Sequence, residues 1–301
     1  MDTLQHLLGL LFVLFFAVQA EAAPQSGVGK AVPVGDFSVV PILDGAHSFP
    51  LALFKGADEA TMLAMAGAQL VPGSFNAFLI RHGQECFLVD TGNGTLRPER
   101  TGQLSLNLKK AKIDPEDISK IFITHLHGDH IGGLVADGKP AFPKARVYVA
   151  RGEYDYWMSE EAMRQAPESR RGTFSMIRDV MRLLEHDKPL VLFTPGEEVS
   201  EGITSVALFG HTPGHTGFML ASKGQKLFFV GDLLHAGVLQ FPRPDITLEF
   251  DTDQKMAKET RLRIFKQVAT EKIPIAAVHL PFPGIGLVRS EGDGYRFEEW
   301  K

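Results

Sequence analysis

The 301-residue chain has a single cysteine, Cys86, so no disulfide can form within it. Flanked by Glu85 and Phe87-Leu88-Val89, that thiol reads as a buried strand residue. The chain has no dense Lys/Arg stripe and carries a net charge of −5, which excludes a nucleic-acid surface of the usual kind. It also lacks an apolar run long enough to span a bilayer comfortably: Leu7 to Val18 is a dozen positions, the length of a signal-peptide core. Small residues follow in Ala20-Glu21-Ala22-Ala23-Pro24 and suit cleavage. We therefore expect a signal peptide at 1–22, a mature domain at 23–301 exported to a periplasm or the medium, and no stable membrane insertion after cleavage. The amino end has no Lys or Arg, only Asp2, so an uncleaved anchor is the alternative. Export without disulfides is compatible with a bacterial periplasm.

Hydrophobic residues make up 44% of the chain, enough for a sizeable core. Residues 24–35, rich in Gly, Pro and Ser, read as a flexible lead-in. Strands are expected at 37–43, 74–80, 86–89, 121–123, 146–150, 190–193, 204–208, 217–220, 227–230 and, as the last buried one, 275–278. Arg81-His82-Gly83-Gln84 has the turn chemistry of a hairpin. Helical patterns cover 57–70, 104–111, 153–163, 174–184 and 253–268, and Asp114-Pro115-Glu116-Asp117 reads as a helix start. A polar, Arg-containing loop separates 153–163 from 174–184. Strands and helices alternate without a long linker or a repeat, which predicts one α/β domain.

The chemistry concentrates in Thr124-His125-Leu126-His127-Gly128-Asp129-His130, placed where a strand gives way to a helix. Neutral imidazole and carboxylate are what zinc-like ions prefer. His125 and His127, two apart at a strand end, point to one side, and Gly128 lets the backbone turn so that Asp129 and His130 face the same space. Four donors on one short segment exceed what one tetrahedral catalytic zinc needs, which suggests two ions. His211 in Gly210-His211-Thr212-Pro213-Gly214-His215, Asp232 after Phe228-Phe229-Val230-Gly231, and His279 after Ala276-Ala277-Val278 sit at similar turns and can converge with it. Asp90, leaving a strand into Thr91-Gly92-Asn93-Gly94, either caps a turn or orients a metal-bound imidazole from behind. His215 is a further candidate for such a supporting role. His47, His82 and His186 lack ligand context and read as solvated.

The order His-x-His-x-Asp-His, Gly-His-Thr-Pro-Gly-His, Gly-Asp and a late His resembles the metallo-β-lactamase-fold hydrolases over essentially the whole mature chain. The resemblance implies an αβ/βα four-layer sandwich with two metals at one edge of its sheets. It implies that His125, His127 and His211 hold one ion, that Asp129, His130 and His279 hold the second, and that Asp232 joins them, with Asp90 in support. Ala77-Phe78-Leu79-Ile80, Gly231-Asp232-Leu233-Leu234 and Phe282-Pro283-Gly284-Ile285-Gly286 resemble the branch of N-acyl-homoserine lactonases and methyl parathion hydrolases. So does the tail Gly292-Asp293-Gly294-Tyr295-Arg296-Phe297. Leu96-Arg97 stands where a pocket aromatic is expected in the organophosphate-cleaving members. Tyr148, Tyr154, Tyr156 and Tyr295 offer no clear match to the catalytic Tyr of smaller lactonases. Asp232 stands where true β-lactamases of this fold often place a Cys ligand.

The expected activity is hydrolysis of lactones or esters by a metal-bridging hydroxide, with Asp129 and Asp232 at the reacting centre. Organophosphate triester hydrolysis is the alternative, ahead of β-lactam or thioester cleavage. Flavin-linked di-iron chemistry and a non-catalytic metal-binding role are the other classes weighed. Two divalent ions are expected: zinc first, with manganese, cobalt or iron compatible with nitrogen and oxygen donors. The expected partner is a small-molecule substrate, and relatives suggest a homodimer. Trp157, Phe174 and His235 are the candidates for substrate contact, with Tyr154, Tyr156 and Phe241 as further pocket aromatics. Each aromatic has the alternative of plain helix packing, as do Met62 and Met65.

Overall fold

A computed structural model describes residues 26–96, 101–187 and 190–300. The signal-peptide segment, Arg97 and the side chain of His186 lie outside the described residues. Two seven-stranded sheets dominate. The first runs in sequence order: β1 (Val32–Val34), β2 (Phe37–Pro50), β3 (Leu70–His82), β4 (Glu85–Val89), β5 (Ile118–Phe122), β6 (Arg146–Ala150) and β7 (Leu190–Phe193). The second does the same with β8 (Glu198–Ser200), β9 (Ile203–Ala207), β10 (Thr216–Ser222), β11 (Gln225–Gly231), β12 (Pro274–Ala277), β13 (Ile285–Glu291) and β14 (Gly294–Glu299). The helices are α1 (Glu59–Ala66), α2 (Leu104–Lys110), α3 (Gly128–Ile131), α4 (Arg151–Met158), α5 (Glu160–Gln165), α6 (Glu168–Asp187), α7 (Gly237–Gln240) and α8 (Gln254–Glu271).

The layering follows from side-chain alternation. Along β4, Phe87 and Val89 enter the core between the sheets, while Cys86 and Leu88 pack outward against helices. Along β11, Leu227 and Phe229 face inward and Phe228 and Val230 face α8. Strands buried on both faces become continuous apolar runs, which is why Phe228-Phe229-Val230 stood out in the sequence. Phe174, Ile177, Met181 and Leu184 form the stripe by which α6 covers the first sheet, and Ile264, Phe265 and Val268 do the same for α8 on the second. The order is helices, sheet, sheet, helix: the four-layer αβ/βα sandwich. No helix among the described residues is long and apolar enough to cross a membrane.

Two parallel pairings place the strand ends. β4 and β5 run parallel, as do β11 and β12, so each pair presents its carboxyl ends on one edge. Several expectations need correction. Val32–Val34 is a strand paired with β2, not flexible lead-in. Asp114 starts only a single 3-10 turn, Pro115–Asp117, because β5 begins at once. The Arg-containing loop is helical from Glu168 onward, its first turn lying on the exposed side of α6. The buried strand at Ile275 is followed by two more, β13 and β14, a hairpin only partly buried.

Candidate metal centre

Strand ends and the loops that follow them build the site. His125 and His127 leave β5 on either side of Leu126, whose fully buried side chain fixes the alternation. Asp129 and His130 lie on the short turn α3. His211 comes from the loop between β9 and β10, Asp232 directly follows β11, and His279 follows β12. The structure brings all seven together.

Asp232 is the centre of the arrangement. Its Oδ2 lies 3.1 Å from His211 Nε2 and 3.5 Å from His125 Nε2. Its Oδ1 lies 3.1 Å from His130 Nε2 and 3.0 Å from His279 Nε2. One carboxylate thus turns an oxygen to each of two imidazole groups. His127 joins the first group, its Nδ1 2.9 Å from His125 Nε2 and 3.0 Å from His211 Nε2. Asp129 joins the second, its Oδ2 3.5 Å from His279 Nε2 and 3.7 Å from His130 Nε2.

The outer nitrogens are held, which turns the inner ones inward. His130 Nδ1 meets Asp90 Oδ2 at 2.9 Å, His211 Nδ1 meets Asp251 Oδ1 at 2.9 Å, and His279 Nδ1 lies 3.2 Å from Ser74 O. Carboxylate or carbonyl behind an imidazole is the arrangement that fixes a metal ligand's tautomer. Asp90 stands behind His130 in that way. It sits at φ 59°, and its oxygens also accept from the Thr124 N–H at 2.9 Å and the Thr124 hydroxyl at 2.8 Å. His215 is neutral by its contacts: Nδ1–H donates to Leu208 O at 2.9 Å, and Nε2 accepts from the Asp232 N–H at 3.1 Å. It holds the backbone of Asp232 in place. Behind the loop after Asp232, buried Arg261 donates to the carbonyls of Leu233, Pro244 and Ile246.

Electrostatics divides the imidazoles. Burial, reinforced by His211, pushes His127 down to about 3, and burial with His211 does the same to His215. Burial also lowers His211, but Asp232 and Asp251 outweigh it and lift the group to about 9. At Asp232, burial opposes ionisation and the surrounding imidazoles overcome it, holding the carboxyl well below its ordinary range. His130 Nε2 and Asp232 Oδ1 are buried without a hydrogen-bond partner although they are close. Unpaired lone pairs aimed at a common space would be costly unless a cation received them. The donor set fits divalent metal binding.

The pocket aromatics are elsewhere. Phe174 is fully buried among α4 and α6, its ring 4.5 Å from Trp157, so it is helix packing. Trp157 is also buried and backs His127, the two rings T-shaped at 5.6 Å. Phe241 stacks between Phe265 and Phe297 in the outer core of the second sheet. Tyr154 bonds Glu185, Tyr156 packs on Trp157 and Phe174, Tyr148 lies between the sheets, and Tyr295 meets Phe265. Met62 is buried beside Phe49 and Leu239, as plain packing. His235 is deeper than a pocket mouth: its Nε2 is 3.1 Å from Asp232 Oδ2 and its ring stacks on His279 at 4.6 Å. His82 stacks on Phe37 at 4.1 Å, and His47 lies against Phe49 and Phe75, whose rings both reach His279. Asp251, Glu153, Phe49 and Phe75 were not singled out in the sequence. None has a local signal, because each meets the site only through the fold.

Residues 70–276 match the Metallo-beta-lactamase superfamily, and the chain belongs to that superfamily. It is a metal-dependent hydrolase. Among solved structures it is similar to the hydrolase AbOPH of the β-lactamase superfamily, at 31% identity and TM-score 0.87, covering 91% of this chain and 98% of that one. It is similar also to AidC, a dizinc quorum-quenching lactonase in complex with the product N-hexanoyl-L-homoserine, at 27% identity and TM-score 0.85, covering 92% and 99%. The hydroxyacylglutathione hydrolase of Tolumonas auensis is 28% identical over 176 residues, which span 58% of this chain and 53% of that protein's length.

Proposed function

We propose that this chain is a dinuclear lactonase that opens N-acyl-homoserine-type lactones and related esters. The observation that carries the two-ion reading is Asp232, with one oxygen toward His125 and His211 and the other toward His130 and His279. His125, His127 and His211 would hold one ion, Asp129, His130 and His279 the other, with Asp232 shared and zinc the first choice. Such ions supply a hydroxide near neutral pH by lowering the pKa of bound water. The likeness to AidC supports the lactone class.

The chain's own residues do the rest. Asp129, like His127 only half-buried, stays ionised: burial raises its pKa, but His130 and His279 pull it below the ordinary carboxylate value. It is placed to take the proton of the attacking hydroxide and pass it to the ring oxygen that leaves as the acyl–oxygen bond breaks. His235 borders the same centre, its Nε2 3.1 Å from Asp232 Oδ2. A cleft of about 370 Å³ lined by Leu43, Gly45, Ala46, His47, Ser48 and Gln103 runs beside β2, the strand whose Phe49 ring reaches His279. It is assigned to the acyl chain.

The test compares kcat/KM for lactones of rising acyl length with that for an aryl phosphotriester, on metal-loaded and chelated protein. Chelator-sensitive lactone turnover that rises with chain length is expected. Faster triester cleavage would replace the lactone reading with the phosphotriester one, and turnover of neither would refute both.

A further inference from the structure

Glu153 has no part in the chemistry above, yet it is only 1% exposed and both its oxygens are fully used. Oε1 accepts from the Leu126 N–H at 3.0 Å and the Trp157 indole N–H at 2.7 Å. Oε2 accepts from the Thr212 hydroxyl at 2.6 Å and the Gly214 N–H at 2.9 Å. The positions of these donors matter. Leu126 lies between His125 and His127, Thr212 follows His211, and Gly214 precedes His215. One carboxylate at the start of α4 therefore ties a loop of the first sheet to a loop of the second, at the three imidazoles grouped on one side of Asp232. Trp157, held by the same oxygen, sets its ring edge on His127.

The contact is tight. A Cβ on Gly214 would lie 2.1 Å from the backbone nitrogen of Glu153 and 2.5 Å from its Cα, so the loop can reach the helix only with glycine there. A buried carboxylate is costly unless hydrogen-bonded, and an apolar side chain could fill the space without that cost. What an apolar residue could not do is hold two separate backbone segments in register by directional bonds.

We propose that Glu153 is a positioning residue that fixes the spacing of His125, His127 and His211 and so sets the affinity of one metal ion without touching it. This rests on the two-ion reading. Glu153→Gln keeps the size but turns an NH2 toward donors. The Thr212 hydroxyl can rotate to accept from it; the N–H groups of Leu126, Trp157 and Gly214 cannot. The amide should settle with its nitrogen toward Thr212 and release Gly214 and the His211 loop.

The experiment is a zinc titration of the metal-free full chain against a chromogenic chelator, which resolves the two stepwise affinities. Glu153→Gln should weaken one ion by about 10–100-fold and leave the other unchanged. Trp157→Phe, which deletes one donor and keeps a ring against His127, should weaken the same ion by less. A brace that served only the fold would lower Tm and leave the ratio of affinities as in wild type; that result overturns the proposal. Should Glu153→Gln fail to fold, Trp157→Phe and Thr212→Val decide, and an unchanged ratio in both overturns it. Fewer than two zinc ions on the wild-type chain would instead overturn the two-ion reading and the selectivity built on it.

Discussion

Replacing Asp90 with Asn changes two atoms' chemistry and little else. The backbone there sits at φ 59°, a conformation Asn tolerates as Asp does, so the substitution adds no steric strain. The consequences follow from who donates. Oδ1 accepts from the Thr124 N–H, and Oδ2 accepts from the Thr124 hydroxyl and from His130 Nδ1. If the Asn NH2 took the Oδ1 place it would face a backbone N–H that cannot turn, leaving a buried donor unmatched at about 1–3 kcal/mol. The NH2 therefore takes the Oδ2 place, where the hydroxyl can rotate and His130 can change tautomer. That change moves the imidazole proton to Nε2, the atom 3.1 Å from Asp232 Oδ1 that should be offering a lone pair. Metal affinity in the group Asp129, His130 and His279 should fall about 10–100-fold, or ~1.4–2.8 kcal/mol, as for other supporting partners of a metal-bound His. The loss of a charge-assisted hydrogen bond should also cost the metal-free protein ~1.5–3 kcal/mol. Zinc competition titration and denaturant unfolding read the two effects separately. Wild-type affinity for both ions in Asp90→Asn would refute the tautomer argument, whatever happened to stability.

Zinc uptake should release a proton at neutral pH. In the metal-free chain His211 is lowered by burial but lifted more by Asp232 and Asp251, to about 9, and must give up its proton to bind. Affinity should therefore rise with pH toward 9, and binding heats should depend on the buffer's ionisation enthalpy; buffer-independent heats would contradict this. Chelation should lower Tm, since an ion present at about 1,000 times its Kd stabilises the folded chain by ~4.1 kcal/mol. An unchanged Tm would mean that the folded chain gains nothing from the metal. His47→Trp should crowd the cleft beside β2 and raise KM for long-chain lactones more than for short ones. An equal effect on both would place the acyl chain elsewhere.

The centre was legible because its chemistry is local. His125, His127, Asp129 and His130 share one turn, and the other donors each follow an apolar strand into a Gly or Pro turn. The strands were legible for the same reason, with alternation in β4 and β11 matching two buried faces. What failed was long-range. Glu153 reads as an ordinary first-turn acid of a helix until the fold brings Leu126 and Gly214 to it. Asp251 reads as a loop acid until it meets His211, forty positions away. Trp157 and Phe174 have helical spacing, which fixes a buried face but not which side of the site that face backs. The β13–β14 hairpin was missed because its outer strand is half exposed and carries Arg296, Glu298 and Glu299 among its aromatics.

In the proposed hydrolase one carboxylate, Asp232, is shared by two ions. The most direct test is to titrate zinc into metal-free protein while following lactone turnover and bound metal together. Two equivalents should bind, with full turnover reached only as the second is filled, and Asp232→Ala should lose both. Full turnover at one equivalent, or from a metal-replete Asp232→Ala variant, would contradict the account.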